Sequence, residues 1–256
     1  HCDDLCYNAA GMSTEGNAVM MSGASWGEAS LFVAAAHDLK SPLALLRQLA
    51  LSLEAGGLSP VEVAELARRM ALTSERALRL TTDLTQSTRL HEELFGIEPL
   101  NLALVARDVV AELQPLYAAK GRRLTVRVPR RAVVGLGNRD LLRRVLCNFA
   151  DNALHYSGEG DAPVVVRLSR RAGGQVIRLA VRDYGPAIPP SLWQQLEQRL
   201  GVSAQPLHSR PGSSGLGLYI AGQFASAMEA QIGAVRHRDG ATFYIDLQAV
   251  YQQRLL

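Results

Sequence analysis

The sequence predicts an α+β protein in two parts: a long antiparallel helical hairpin, followed by a sandwich in which helices cover one face of a β-sheet. Two observations carry this. Early in the chain apolar side chains recur at alternating intervals of four and three, the spacing of a helical seam. Past residue 96 the texture changes: FGIEPL brings Gly and Pro, the heptads cease, and short β-rich runs alternate with helical ones without strict strand–helix–strand order.

Residues 1–25 read as a tail or an added leader, because the chain opens on His1 rather than Met and GM at 11–12 marks a second boundary. HCDDLC at 1–6 offers potential metal ligands, but one terminal cluster without a second ligand pair is a weak signal. Three cysteines, Cys2, Cys6 and Cys147, fit no disulfide framework. Cys147 lies in an apolar helical pattern, where a buried reduced thiol is the simple reading, and this suits a reducing, cytoplasmic setting.

Residues 26–95 form the hairpin. Its first seam runs Phe32, Ala36, Leu39, Leu43, Leu46, Ala50, Leu53; AGGLSP at 55–60 stops that helix, and Ser59 caps the next, with Pro60 as its first residue. The second seam follows through Val63, Leu66, Met70, Thr73, Ala77, Leu80 and Leu84, and more weakly Ser87, His91 and Leu94. Such a hairpin cannot bury a core alone. A second copy completing a four-helix bundle is the economical solution, so a homodimer is expected; the alternative is packing against the rest of its own chain.

In the second part, residues 96–250, strands are predicted at 123–128, 163–168, 175–183 and 241–247. Helices are predicted at 101–119, 138–155 and 215–230, with a shorter one near 190–200. The 256 residues are 48% apolar with a net charge of +3, too small and too evenly mixed a charge to indicate nucleic acid as the main partner. The basic stretch GRRLTVRVPRR at 121–131 reads as a solvated strand edge. No apolar run reaches the length of a membrane span.

Three stretches carry candidate chemistry. In NRDLLRRVLCNFADNALHYSGEG, Asn148 and Asn152 lie four apart on one helix face, with His155 close behind. A side-chain amide oxygen suits a magnesium ion held mainly by phosphates; taken alone, the spacing better fits ordinary surface asparagines. VRDYGPAIP ends a strand in Asp183 and turns at Gly185, where a carboxylate could accept a hydrogen bond from an exocyclic amine. GSSGLGLYIAGQFA at 212–225 passes from a glycine-rich loop into a helix, whose free amides suit polyphosphate. Between the last two lies a segment of lid length, with His208 and Arg210 near its end.

In this order the three stretches resemble the nucleotide-binding boxes of sensor histidine kinases, and more widely the ATPase fold shared with the gyrase B subunit and MutL, the Bergerat type. DNALHYS looks like the N box, DYGPAIP the first glycine box and GSSGLGLYI the second, and GATFYIDL is similar to the closing strand. HDLKSPL, at 37–43, is similar to the phosphoacceptor box that commonly reads His-Glu-Leu-Arg-Thr-Pro-Leu, which separates the kinases from the other ATPases. The likeness spans residues 30–248. It implies ATP as substrate with Mg2+; Asn148 and Asn152 at phosphate and magnesium, Asn152 as the metal ligand; His155 and Tyr156 against the nucleotide; Asp183 reading adenine; and Gly185, Gly215, Leu216 and Gly217 shaping the pocket.

The resemblance further implies that His37 accepts the phosphoryl group and passes it to an aspartate on a response-regulator receiver domain. His37 falls one residue past the seam position Ala36 and should face outward. Asp38 would handle its proton, although adjacent helical residues do not naturally face each other. Ser41, four residues on, lies on the same face, where relatives often control phosphatase activity; Lys40 could neutralise phosphate charge, and Pro42 should bend the helix. Three departures stand out. Ala187 replaces the usual glycine at a position where positive φ, and so strain, is expected; the lid lacks the usual Phe pair, with Trp193 and Leu196 as substitute anchors; and no sensor region or membrane span precedes the hairpin. The chain is then either the cytoplasmic portion of a membrane receptor or a kinase signalled by a partner. The competing readings are a catalytically weak dimeric nucleotide-binding scaffold and a phosphatase-dominant signalling protein.

Overall fold

The computed structural model describes residues 22–89, 95–156, 162–202 and 216–250. Helices α1 (Ser22–Glu54) and α2 (Pro60–Arg89) form the hairpin, α1 running on through Pro42. The turn between them is closed by a reciprocal cap: Ser59 N–H and Oγ both donate to Glu62 Oε2, at 2.8 and 2.7 Å, while Glu62 N–H donates to Ser59 Oγ at 3.3 Å. These bonds satisfy α2's first free amides and hold the Glu62 carboxyl below its usual range.

The seam divides between two duties. Leu39, Leu46 and Leu53 are half-buried within the hairpin, and on α2 Ala77 is buried with Leu66, Met70, Thr73, Leu80 and Leu84 half-buried. Ala36, Leu43 and Ala50 instead face out, with Leu43 57% exposed. The hairpin also packs on its own chain: Ala34 and Ala35 join the main apolar cluster, and Leu80 and Leu84 rest against it.

The second part begins with β1 (Glu98–Asn101), α3 (Leu102–Ala119), β2 (Leu124–Arg127), β3 (Val134–Gly137) and α4 (Arg139–Tyr156). It continues through β4 (Val164–Arg171), β5 (Val176–Arg182), α5 (Pro190–Arg199), α6 (Leu216–Ala227), β6 (Gln231–His237) and β7 (Gly240–Gln248). Five strands form one sheet in the order β2-β4-β5-β7-β6, parallel only between β2 and β4; β1 and β3 pair separately. Alternation assigns the faces. Ile177, Leu179 and Val181 of β5 and Phe243, Ile245 and Leu247 of β7 are buried with α3, α4 and α6, whereas Arg178 on the other face clamps Asp246 with two 2.7 Å bonds and lies 3.4 Å over the Tyr244 ring. The fully buried Tyr117 of α3 donates its hydroxyl to Ala150 O of α4 at 2.7 Å, tying those helices at the core.

All four predicted strands and all four predicted helices of this part form. Three strands went unrecognised in the sequence. β1 and β3 are four residues each and carry Pro99, Gly135 and Gly137, and β6 is an edge strand too exposed to show alternation. The Asp-Gly pair at 239–240 was an available hairpin signal for β6.

Cys147 is 4% exposed, and burial pushes its thiol up to about 12. At pH 8 its thiolate fraction is on the order of one in ten thousand. Brief iodoacetamide treatment of the native protein is expected to leave Cys147 unmodified by mass spectrometry, and treatment in denaturant to alkylate it; rapid native alkylation would show that this face of α4 opens.

Candidate nucleotide-binding and phosphoacceptor site

Helix α4 turns one face to the core with Leu142, Val145, Leu146, Phe149 and Ala153, and its start is capped by Asn138 Oδ1, which accepts from Asp140 and Leu141 N–H at 3.1 and 3.2 Å. Its other face presents Asn148, Asp151, Asn152 and His155 to a cleft. The Nδ2 of Asn152 is buried without a hydrogen-bond partner among the described residues, and Asn148 has for neighbour the Asp83 carboxylate that Arg144 already holds. An orphaned amide is costly unless an acceptor-rich ligand meets it, which fits phosphate oxygens, with the amide oxygens left for a cation. No three His, Cys, Asp or Glu side chains gather as a metal cage among the described residues. A divalent ion at Asn152 would therefore be shared with the phosphates. His155 and Tyr156 meet edge to face, ring centres 4.9 Å apart.

Asp183, 5% exposed, follows β5. Its carboxylate accepts from Gly185 N–H at 3.0 Å and from Ala241 N–H at 3.2 and 3.3 Å, while its own N–H donates to Ala241 O at 3.0 Å. Two glycines allow this. A Cβ on Gly185 would stand 2.1 Å from Tyr156 O, and Gly240, at φ 123°, would bring one to 2.5 Å from Asp183 O. Asn152, Tyr156, Pro186, Ile188, Ala241 and Phe243 close around Asp183, leaving a cavity of about 10 Å³. That is room for one water-sized sphere, so an adenine ring enters only if these walls part.

The strain expected at Ala187 is absent. Among the described residues, the non-glycine positions with positive φ are Ala172 and Glu229, and Ala187 is exposed. The loop passes this point in an ordinary conformation that tolerates a Cβ. On α5, Trp193 and Leu196 are buried at 9% and 5% exposure and anchor the start of the lid segment.

On α1, His37 is 54% exposed and points outward as expected, with Nδ1 3.5 Å from Asp38 Oδ1, so the adjacent pair does meet. Asp38, Ser41 and Pro42 line a cavity of about 380 Å³ together with Arg76 and Arg79 of α2 and Asn148, Asp151, Asn152, His155, Tyr156 and Gly217 of the second part. His37 is not in its wall but one residue from it. The structure thus joins Asp38, Ser41, Asn148, Asn152, His155, Tyr156 and Gly217 in one cleft, with Asp183 and Gly185 behind Tyr156. Leu216 is fully buried, so its side chain packs the core and only its backbone can serve a nucleotide. Gly215, His208, Arg210, Cys2 and Cys6 lie outside the described residues. The sequence reading missed Gly240, Ala241 and Phe243 as members of the site, and a set of ion pairs across the cleft. Arg144 pairs with Asp83 of α2, and Arg79 of α2 stands 3.6 Å from Glu112 and 3.8 Å from Asp151.

Residues 137–250 match the family of histidine kinase-, DNA gyrase B-, and HSP90-like ATPases. The chain is 28% identical over 217 residues to the sensor histidine kinase AruS of Pseudomonas aeruginosa, covering 83% of this chain and 22% of that one. It is 31% identical over 210 residues to the sensor protein CutS of Streptomyces coelicolor, covering 80% and 49%. Among solved structures it resembles the Acinetobacter baumannii histidine kinase AdeS, with a TM-score of 0.57 at 18% identity over 84% of this chain and 98% of that one. It also resembles full-length ShkA in complex with AMPPNP, with a TM-score of 0.56 at 20% identity over 90% and 46%. These structural likenesses speak for the fold.

The second part is therefore an ATPase domain of this type. Over about four fifths of its length the chain is similar to sensor histidine kinases. It spans about a fifth to a half of the length of the two curated relatives named. Among the described residues no helix is long and apolar enough to cross a membrane.

Proposed function

We propose that this chain is the kinase portion of a two-component signalling protein. It binds ATP with Mg2+ in the α4–α6 cleft, phosphorylates His37, and donates the phosphoryl group to an aspartate of a response-regulator receiver domain. The observation that carries this is the single cavity bordered both by the immediate neighbours of His37 and by the asparagines of the nucleotide site. With Nδ1 turned toward Asp38, Nε2 is left as the nucleophile. Nε2 bonds to the γ-phosphorus as the bond to the ADP oxygen breaks, and the Nδ1 proton, made more acidic, is taken up or steadied by Asp38. Mg2+, when bound, neutralises phosphate charge; Asn152 and Asn148 orient the triphosphate, Asp183 and Gly185 fix the base, and Ser41 would position a water for dephosphorylating the partner.

A homodimer is part of this proposal. Val33, Leu43 and Leu51 on α1 and Val63 and Leu78 on α2 are 42–71% exposed, an apolar surface that a second hairpin would cover in a four-helix bundle. The test is incubation of the full chain with Mg2+ and γ-labelled ATP. Label on protein that survives alkali and is lost in acid is the expected outcome; measurable ATP binding with no such label would overturn the kinase in favour of a nucleotide-binding scaffold.

A further inference from the structure

Among the buried side-chain polar atoms without a hydrogen-bond partner in the described residues are Nε of Arg79 and Arg144, Nδ2 of Asn152 and Oδ1 of Asp151. All lie on the two helices that meet across the cleft, and Arg79, Asp151 and Asn152 line the 380 Å³ cavity. Of the atoms on those three, two are donors and one an acceptor. Buried polar groups are normally satisfied, so a cavity bordered by surplus donors calls for a ligand rich in acceptors.

Arg79 is the unexpected member. It comes from the hairpin, not from the ATPase domain, and its guanidinium is poorly engaged where it stands. Its two ion pairs are long, 3.6 Å to Glu112 and 3.8 Å to Asp151, and Glu112 is already clamped by Arg143 with bonds of 2.8 and 2.7 Å. The side chain is nonetheless 24% exposed and held in the cleft wall beside Asn148 and Asn152, in a cavity where Arg76 and Lys120 add positive charge and Asp38, Asp83 and Asp151 negative charge. A planar guanidinium with uncommitted N–H groups is suited to bidentate contact with phosphate oxygens.

We propose that Arg79 is a phosphate-contacting residue of the phosphoryl-transfer site, supplied by the hairpin to the nucleotide held in the same chain. Resting on the kinase reading above, the assignment makes helix α2 a sensor of the terminal phosphate. ATP, but not ADP, reaches the guanidinium and draws hairpin and ATPase domain together around Asp38 and Ser41.

The experiment compares the full chain with Arg79→Gln and Arg79→Lys, measuring affinity for Mg·ADP and for a non-hydrolysable Mg·ATP analogue, and the rate of labelling from γ-labelled ATP. For Arg79→Gln the expected result is ADP affinity within about twofold of wild type, analogue affinity weaker by about fivefold or more, and labelling slower by about tenfold or more, with Arg79→Lys between. Retained ADP binding shows that the variant is folded. Unchanged analogue affinity and labelling would overturn the proposal, and so would equal losses for ADP and the analogue, the pattern of an interdomain ion pair only. If the wild type binds ATP but takes no label, the kinase reading fails instead, and the ATP-over-ADP preference still decides the role of Arg79.

Discussion

The His37→Ala chain is expected to take up no phosphoryl label from ATP while binding nucleotide as tightly as wild type and melting at the same temperature. The side chain is more than half exposed and meets Asp38 at 3.5 Å, so its removal leaves no buried group unpaired. Exposed positions of this kind change stability by about 0.5 kcal/mol or less. Loss of label with nucleotide binding intact would assign the acceptor. Label at the wild-type level would move it to another nucleophile, and a lowered melting point would give His37 a structural duty the geometry does not suggest.

The second large effect is expected at Asp183. Replacing it with alanine strips the acceptor from two buried amides, Gly185 N–H and Ala241 N–H, at about 1–3 kcal/mol for each orphaned donor. Both nucleotide binding and domain stability should fall. Asp183→Asn separates the two losses, because its amide oxygen can still accept from the backbone while its charge is gone; it should melt near wild type and bind ATP weakly. Gly185→Ala probes the same pocket by shape alone: its Cβ would fall 2.1 Å from Tyr156 O, so the loop must move off α4. Calorimetric titration with ATP, alongside thermal melting, checks all three. Wild-type affinity in Asp183→Asn would remove Asp183 from the base-recognition role.

Where local pattern and final environment agree, the sequence was readable. Heptads in 32–53 and 63–84 are regular because one stripe of each helix must be covered, and β4, β5 and β7 alternate because one sheet face meets α3, α4 and α6. The seam of α1 nevertheless misled in one respect: periodicity marks which positions are apolar, not which neighbour covers them. Leu39, Leu46 and Leu53 turn into the hairpin, Ala36, Leu43 and Ala50 face out, and Ala34 and Ala35 join the core of the other part. Ala187 misled in the opposite direction. A glycine-to-alanine departure predicts strain only where φ is positive, and here it is not. Of the two glycines that geometry requires, Gly185 lies in the first glycine box, but Gly240 opens the closing strand, because what crowds its Cβ is Asp183, fifty-seven residues earlier.

The sequence by itself determined the two-part architecture, the capped hairpin turn, and the residue types that the chemistry needs, namely an outward histidine beside a carboxylate, paired asparagines, and a carboxylate before a glycine turn. These depend on spacing along a helix or strand, which is local. Only the tertiary structure decided that Asp38 and Ser41 share a cavity with Asn148 and Asn152, that Ala241 N–H pins Asp183, and that Arg79 stands between Glu112 and Asp151. Those relations join residues tens of positions apart through the docking of one folded unit on another, and no period in the chain encodes the direction of that docking.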